Sequence, residues 1–244
     1  MPYKNFTQRN EMEVLYEDNH IIIVNKAPGE IVQGDKTGDT PLSETIKAYL
    51  KEKYAKPGNV FCGVVHRLDR PVGGVVVFAK TSKALTRLNE MFREGKVDKT
   101  YWAITAGTPA EPSATLTHYI TTRQQGNKSY ASPTPVASGK RAVLHYEMIA
   151  HGDRYNLLEV KLETGRKHQI RVQLASIGCP VKGDLKYGAK RSNTDGSISL
   201  IARRIRFTHP VSGQEIDVTA PVPADNLWQA LAAGAASPSS PSEA

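Results

Sequence analysis

The sequence predicts an α+β fold built on one large, mostly antiparallel β-sheet. Three observations lead to this prediction. Apolar, β-branched runs of strand length recur along the chain and are separated by turn residues such as Gly, Pro, Asn and Asp. Only three segments show the spacing of apolar residues that is typical of a helix. The 244 residues, 39% of them hydrophobic, suit one large domain or two small ones and can form a substantial core.

The first half of the chain is predicted to hold two helices among its strands. Thr40 is placed to cap the first helix, and Pro41 suits its first position. Ser82 is placed to cap the second helix, and Gly95 fits its C-terminal end. The predicted strands are "VLYEDNHIIIVNKAPG", which turns at Asp18-Asn19, then "NVFCGVVHRLD", "VVVFAKT" and "KTYWAITAG".

The second half is predicted to be mainly strands with one helix. Residues 107–140 are rich in Thr, Ser, Pro, Gly and Gln, which indicates a hairpin or a flexible loop. The helix is "GRKHQIRVQLASIG", ended by Gly178 and Pro180. The strands are "AVLHYEMIAH" and "YNLLEVKLET", paired around Gly152-Asp153, followed by "ISLIARRIRFTHP" and "EIDVTAPVP".

The two ends of the chain are expected to lie outside the folded domain. The last dozen residues, 233–244, are small and rich in Pro and Ser, so they are predicted to be a disordered tail. We therefore divide the chain into an N-terminal segment, 1–12, a folded domain, 13–232, and this tail.

Charge and cysteine content narrow the class of partner and the compartment. Lys and Arg number 32 against 24 acids, giving a net charge of +8 and a pI of about 9.4, which suits RNA or DNA. The two cysteines, Cys62 and Cys179, form neither a disulfide framework nor a zinc motif. No secretory signal or membrane-length apolar run is present, so we expect a cytoplasmic protein.

The stretch "HRLDRPVGG" places Asp69 between Arg67 and Arg70 in a chain that is already basic. In an extended chain, Arg67 and Asp69 share one face. A salt bridge that pins a turn is one explanation, although a surface pair contributes little stability. A catalytic carboxylate, kept ionised by its positive neighbours, is the other.

A second unusual stretch is "ETGRKHQIRVQLASIG". If Thr164 caps this helix, Arg166 and Lys167 fall in its first turn, where cations are unfavourable and a phosphate would be welcome. Arg171 lies at the edge of the apolar stripe, so it either needs an acidic partner or is simply solvated. The candidate partners are Asp69, Glu163 and Asp184.

Further residues bear on the possible chemistry. Tyr101 and Ala103 share one strand face, with Trp102 and Ile104 on the other; Tyr101 is either core or a platform for a stacked base. Cys62 lies in an apolar run, so a thiol nucleophile is disfavoured. The histidines do not cluster at metal-ligand spacing, and no phosphate-binding glycine motif is present.

Taken together, these stretches resemble the RluA-type family of RNA pseudouridine synthases. The match runs in order through "LYEDNHIIIVNKAPG", "HRLDRPVGGVVVFAK", "KTYWAITAG", "LETGRKHQIRVQLASIGCPVKGDLKYG" and "RIRFTHP", over roughly residues 14–223. The resemblance implies a catalytic α+β domain with a long sheet, flanking helices and a central cleft. It also implies conversion of uridine to pseudouridine in RNA, with no cofactor or metal.

The resemblance also assigns roles to single residues. Asp69 matches the catalytic aspartate, Tyr101 the tyrosine that packs against the uracil, and Arg171 the basic partner of the aspartate. Arg67 matches the arginine that fills the space left by a flipped-out base. The other residues predicted to contact RNA are Arg70, Arg166, Lys167 and His168.

The sequence departs from the family pattern in places. "PVGG" stands where Thr or Val followed by Ser-Gly is common, and Gln173 stands where His is frequent; both changes could alter loop shape or RNA contacts. Because the match begins almost at the N-terminus, we expect no separate RNA-binding module. A monomer would then find a structured loop of ribosomal or transfer RNA through its own basic surface.

Two other functions stay open at this point. The same fold could bind RNA without turnover, or the chain could be a nucleoside hydrolase or glycosidase that releases free base. A glycosidase would need a second carboxylate with a defined place, and the sequence fixes none opposite Asp69.

Overall fold

The computed structural model describes residues 12–123 and 127–236. The strands are β1 (Glu13–Glu17), β2 (Ile21–Lys26), β3 (Gly63–Val64), β4 (Gly73–Ala79), β5 (Asp98–Ala106), β6 (Ser113–Arg123), β7 (Lys128–Ser132), β8 (Lys140–His151), β9 (Tyr155–Leu162), β10 (Leu200–Thr208) and β11 (Glu215–Thr219). The helices are α1 (Leu42–Lys53), α2 (Ser82–Arg93), α3 (Gln169–Ser176) and α4 (Asn226–Ala236), with a 3₁₀ turn at Leu185–Tyr187.

All the described strands belong to one sheet of 11 strands, which confirms the predicted α+β class. The order is β1-β2-β4-β10-β5-β9-β8-β6-β7, with β3 beside β4 and β11 beside β10. Neighbouring strands are antiparallel except β4 and β10, which run parallel over two residue pairs. The sheet is therefore mixed but mostly antiparallel, and its one parallel junction lies near the middle.

The helices cover both faces of this sheet. Ile46 of α1 packs with Val76 of β4, whereas Leu88 of α2 packs with Val77, so these two helices lie on opposite faces. Leu68 contacts the core cluster under α1 and also the cluster under α3, which places the segment before β4 between those two helices.

Local sequence signals were right about the turns, and wrong by one residue about two helix starts. Asp18 accepts the backbone N–H groups of His20 and Ile21 at 2.7 and 2.8 Å, which fixes the predicted β1–β2 turn. Pro41 is the residue before α1 rather than its first position, so Thr40 does not cap it. Thr81 caps α2 in place of Ser82, since its hydroxyl accepts the Ala84 N–H.

The predicted strand "NVFCGVVHRLD" is wrong over most of its length. Only Gly63–Val64 pairs with β4. Beyond that point the side chain of His66 accepts the backbone N–H of Val77 at 3.0 Å, and it stacks on Phe92. Because a side chain takes the hydrogen bond that a strand would have made, the chain is free to leave the sheet before Asp69.

The segment 107–140 forms a hairpin. β6 pairs with β7 and, along its other edge, with β8, so the alternative of a flexible loop is wrong for these strands. The tip, 124–126, lies outside the described residues.

A fourth helix was missed. α4 runs to Ala236, past the expected domain boundary at 232 and into the expected tail. Asp225 marks its start, because its carboxylate accepts the N–H groups of Leu227 and Trp228. Trp228 and Leu231 cover the side chains of Ile104, Leu157 and Ile201 on the face of the sheet opposite α3. The rest of the expected tail, 237–244, and segment 1–11 lie outside the described residues.

Candidate active site

The segment carrying Asp69 is held in place by a buried lysine. Lys26, at the end of β2, is 1% exposed and donates to the carbonyl oxygens of Ala27, Arg70 and Val72 at 3.0, 3.1 and 2.7 Å. Burial lowers the pKa of Lys26 to about 8, and Glu30 and Asp69 partly oppose this shift. Three carbonyls use all three N–H bonds of the ammonium group. A lysine that ends an apolar strand is a signal that can be read from the sequence, but the role of Lys26 was missed.

Arg171 joins two carboxylates in the site. Its guanidinium donates twice to Asp184, at 2.6 and 2.9 Å, and once to Asp69 Oδ2, at 2.9 Å. Of the three candidate partners the structure thus selects two. Burial opposes the charge, but hydrogen bonds to Asp184 and Asp69 outweigh it, so the pKa of Arg171 is raised. A buried arginine is satisfied here while one of its acids stays accessible: Asp184 is 1% exposed and Asp69 29%.

The helix carrying Arg171 starts later than predicted. α3 begins at Gln169, so Thr164 is not its cap, and Arg166 and Lys167 precede the helix instead of forming its first turn. Gln169 explains this: its side-chain oxygen accepts the Thr164 hydroxyl and the Arg166 N–H, both at 2.9 Å. Gly178 ends the helix with φ of 77°, as predicted.

The basic residues before α3 have different environments. Arg166 and Lys167 are exposed, and Arg166 Nε donates to the Arg141 carbonyl oxygen. His168 is buried, in the left-handed conformation with φ of 55°. Its Nδ1 lies 2.7 Å from the Tyr187 hydroxyl, and its Nε2 lies 3.7 Å from Asp69 Oδ2. His168 thus borders the carboxylate rather than facing solvent.

The two arginines that flank Asp69 also differ. Arg67 is exposed, whereas Leu68 is directed into the core, as the alternation in an extended chain predicts. Arg70 is held by an acidic loop: it donates to Asp39 at 2.7 Å and lies 3.6 Å from Asp35. These two acids offset the charge of Arg70, which weakens the case for an RNA contact there.

Tyr101 lies in the same core as α3. It packs with Ala103, Ile170 and Leu174, while Trp102 contacts the cluster under α4, so the predicted faces of β5 are confirmed. Burial raises the pKa of Tyr101, and the negative charge of Asp69 raises it further. The phenol is therefore neutral at physiological pH and lies within the electrostatic reach of Asp69.

The two departures from the family pattern are internal. Gln173 is fully buried and donates to the Leu116 carbonyl oxygen at 3.2 Å, so any effect of this residue on RNA contacts would be indirect. Val72, Gly73 and Gly74 of "PVGG" are buried as well. Gly74 has φ of 107°, and a Cβ there would lie 2.3 Å from the Ala202 carbonyl oxygen. Glycine is thus required where β4 meets β10.

Other chemistries find no support in the part of the chain that the structure describes. Those residues contain no group of three or more His, Cys, Asp or Glu side chains placed to hold a metal ion. Burial raises the pKa of the Cys62 thiol to about 12, so it is a poor nucleophile at neutral pH. A hollow of about 580 Å³ on the other face of the sheet is lined by Trp102, Glu159 and Arg203 among others, and Asp69 does not reach it.

The fold and the site together define the class of protein: it has the pseudouridine synthase fold, with an aspartate–arginine pair beside the parallel junction of the sheet. The solved structure of human RNA Pseudouridylate Synthase Domain Containing 4 superposes with a TM-score of 0.74, covering 91% of this chain and 92% of that one at 23% identity. At this identity the likeness concerns the fold.

The sequence comparisons give the family. The RNA pseudouridylate synthase family matches residues 20–176. RNA pseudouridine synthase YhcT of Bacillus subtilis is 36% identical over 220 residues, covering 88% of this chain and 70% of the relative. Ribosomal large subunit pseudouridine synthase D of Zymomonas mobilis is 32% identical over 237 residues, covering 92% and 73%. The chain belongs to the RNA pseudouridine synthases, in the RluA-type family, and is an isomerase that acts on uridine in RNA.

Proposed function

We propose that Asp69 is the catalytic carboxylate of this isomerisation. The observation that carries the proposal is the pair with Arg171, which supplies a positive charge at 2.9 Å while Asp69 remains partly open to solvent. A carboxylate that is both accessible and paired can act as a nucleophile or as a base. In the reaction the C1′–N1 bond breaks, a C1′–C5 bond forms, C5 loses its proton and N1 gains one.

Substrate entry requires a uridine that has left its stack. Flipping a base out costs a few kcal/mol, and a group that fills the gap offsets part of this cost. Arg67 is exposed two residues from Asp69 and would occupy the vacated space. Tyr101 would pack against the uracil beside Asp69. Arg166 and Lys167 would contact phosphates next to the site, a role that their exposure supports.

The substrate we propose is a structured loop of ribosomal or transfer RNA, bound by a monomer in the cytoplasm. The net charge of +8 supports a polyanionic partner, and several relatives are named for the ribosomal large subunit. Within residues 12–123 and 127–236, none of the helices has the length and apolar character needed to cross a bilayer.

Tritium release tests the proposal directly. Bulk ribosomal and transfer RNA from a strain lacking the gene would carry [5-³H]uridine and be incubated with the protein. Release of tritium to water with the base retained supports isomerisation. Free uracil would indicate a hydrolase, and no release would indicate binding without turnover.

Asp69→Asn tests the role of the carboxylate, because it keeps the volume of the side chain and removes its charge. We expect no tritium release and unchanged or slightly tighter RNA binding. Asp153→Asn, in the exposed β8–β9 turn, is the matched control and should release tritium at the wild-type rate. Substantial release by Asp69→Asn, with deamidation excluded by mass spectrometry, would falsify the assignment.

A further inference from the structure

Behind Asp69 lies a chain of buried hydrogen-bonding groups. The Ser129 N–H donates to the Tyr187 hydroxyl oxygen at 2.8 Å, and that hydroxyl lies 2.7 Å from His168 Nδ1. Tyr187 and His168 are both buried. On the far side of the imidazole ring, Nε2 lies 3.7 Å from Asp69 Oδ2. The chain thus runs from strand β7 to the carboxylate.

The number of protons on these groups indicates which of them donates in each hydrogen bond. A phenol has one proton to donate, and the Tyr187 oxygen already accepts from Ser129. If Nδ1 carried the histidine proton, the Tyr187 oxygen would accept twice, and its own buried O–H would have no acceptor in good hydrogen-bond geometry on Ser129 or His168, a costly arrangement. If Tyr187 instead donates to Nδ1, each of these protons has an acceptor. The neutral imidazole then carries its proton on Nε2, on the side of Asp69.

Asp69 Oδ2 is the carboxylate oxygen that this N–H faces, 3.7 Å from Nε2. The same oxygen accepts from Arg171 Nη1 at 2.9 Å. Arg171 in turn lies over the Tyr187 ring, 5.0 Å from its centroid. Tyr187 is therefore in contact with both groups that border the carboxylate: its hydroxyl meets His168, and its ring meets Arg171.

We propose that Tyr187 donates its hydroxyl proton to His168 Nδ1, so that His168 presents an Nε2–H to Asp69 and fixes the orientation of its carboxylate. We call this hydrogen-bonded pair of Tyr187 and His168 the relay. Both are positioning residues, acting through Asp69 rather than on the uridine. The proposal rests on the proposed function, in which Asp69 carries out the reaction. A distance of 3.7 Å is too long for a hydrogen bond in this state, and such contacts commonly tighten when substrate binds.

The backbone around His168 supports a dedicated role. A non-glycine residue with φ of 55° is unfavourable and persists only where its surroundings hold it. Ser129 stabilises this conformation, since its hydroxyl donates to the Lys167 carbonyl oxygen at 2.9 Å and its N–H donates to the Tyr187 hydroxyl. One residue of β7 thus sets both ends of the His168–Tyr187 contact. Burial lowers the pKa of His168 to about 4, with Asp69 opposing and Arg171 reinforcing the shift, consistent with a neutral ring.

Histidine ¹⁵N NMR of the RNA-free protein at pH 7 tests the proton order independently of activity. We expect His168, assigned by its loss in His168→Gln, to show the Nε2–H tautomer alone. In Tyr187→Phe, which keeps the ring but removes the donor, the signal should move towards a mixture of tautomers. A charged ring or an Nδ1–H tautomer in the wild type would overturn the proposal.

A double-mutant cycle on the single-turnover rate tests the positioning role. His168→Ala and Tyr187→Phe should each lower the rate by roughly 10- to 100-fold, as is typical when a group that orients a functional side chain is lost. RNA affinity should be unchanged. Because Tyr187 acts through His168, the double variant should be no slower than His168→Ala. His168→Gln, which restores a neutral N–H donor, should recover part of the rate.

Tyr146→Phe is the matched control. Its buried hydroxyl donates to the Glu111 carbonyl oxygen at 3.1 Å, so the variant loses a comparable hydrogen bond away from Asp69. It should melt at a lower temperature and keep the wild-type rate. Multiplicative losses in the double variant, or unchanged rates in both single variants, would overturn the positioning role. If the wild type itself released no tritium, the proposed function would fail, while the tautomer measurement would still decide the relay.

Discussion

At the scale of single residues, this site shows how a buried charge is satisfied while a neighbouring one stays usable. Asp184 binds Arg171 through two hydrogen bonds and fixes the plane of its guanidinium. The remaining Nη1 group is thereby directed at Asp69. A lysine could supply the charge but not this fixed fork. The geometry therefore depends on arginine, and on an acid that takes no part in the proposed chemistry.

Arg171→Met should destabilise the protein and abolish turnover. It leaves Asp184 buried without a partner, and breaking a buried ion pair typically costs about 3–5 kcal/mol. Arg171→Lys should be milder, since it retains the charge. Asp184→Asn should cost less stability than Arg171→Met, because Arg171 keeps its bond to Asp69. Urea unfolding and tritium release measure both effects, and wild-type values for Arg171→Met would show that the pair is dispensable.

His168 should make the fold sensitive to acid. Its pKa of about 4 in the folded protein is below the ordinary value near 6.5, because burial disfavours the charged ring. Between these two pH values the unfolded chain binds the proton more readily, so stability is lost as pH falls from 6.5 towards 4. The drop in melting temperature between pH 7 and pH 5 should be smaller in His168→Gln than in the wild type. Equal drops would show that His168 does not titrate as described.

At the scale of elements, two connections form the site. The segment between β3 and β4 leaves the sheet at His66 and is held by Lys26. The turn before α3 is held by Gln169 and Ser129. Each is fixed by side-chain hydrogen bonds to backbone groups, which is how irregular chain can be as well ordered as a strand.

Gly74→Ala should disrupt the junction of β4 with β10. The added Cβ would meet the Ala202 backbone at 2.3 Å in a conformation that already disfavours side chains, so we expect a loss of about 3 kcal/mol or more. Gly213→Ala, with φ of 76° and open space around it, isolates the conformational cost, about 1 kcal/mol. Urea unfolding measures both, and equal losses would mean that the close approach to Ala202 is relieved.

Arg166→Ala should weaken RNA binding with little effect on stability. Removing one phosphate contact should make the slope of log K against log salt shallower by about 0.7–0.9. Arg93→Ala is the control, since Arg93 is also exposed but lies on α2, beside Glu90. Filter binding of RNA at several salt concentrations gives the slopes. An unchanged slope for Arg166→Ala would remove this residue from the RNA surface.

At the scale of the whole molecule, the sheet brings distant parts of the chain to one junction. Its parallel pair, β4 with β10, joins strands more than a hundred residues apart. The segment before β4, which carries Asp69, and helix α3 both pack on the same face of the sheet at this junction. Helix α4 supports the opposite face under β5 and β9.

A chain ending at Asp225 should be much less stable than one ending at Ala236. Loss of α4 uncovers Ile104, Leu157 and Ile201, and removing a single large core side chain already costs about 2–5 kcal/mol. The shorter chain should melt at a lower temperature and scatter light on heating, because its apolar face is exposed. If both chains melt together, α4 contributes nothing to the fold.

The sequence alone was sufficient to predict features that depend on neighbouring residues. It placed the β1–β2 turn at Asp18, the C-terminal end of α3 at Gly178 and the faces of β5, because each follows from local hydrogen bonding or from strand alternation. It also showed that Arg171 would need an acidic partner if buried. The family resemblance rests on the order of several sequence motifs, and recognising these motifs required no structural information.

Which distant groups meet is visible only in the folded structure. It joined Arg171 to both Asp69 and Asp184, directed Arg70 to an acidic loop, and placed His168 against the catalytic candidate. It also ended the strand before His66 and began α3 at Gln169, where side chains replace the expected backbone bonds. Asp69 and Arg171 are 102 residues apart, and local periodicity carries no information about contacts across such a distance. These contacts depend on the packing of the whole sheet, which brings the partners together only once the chain has folded.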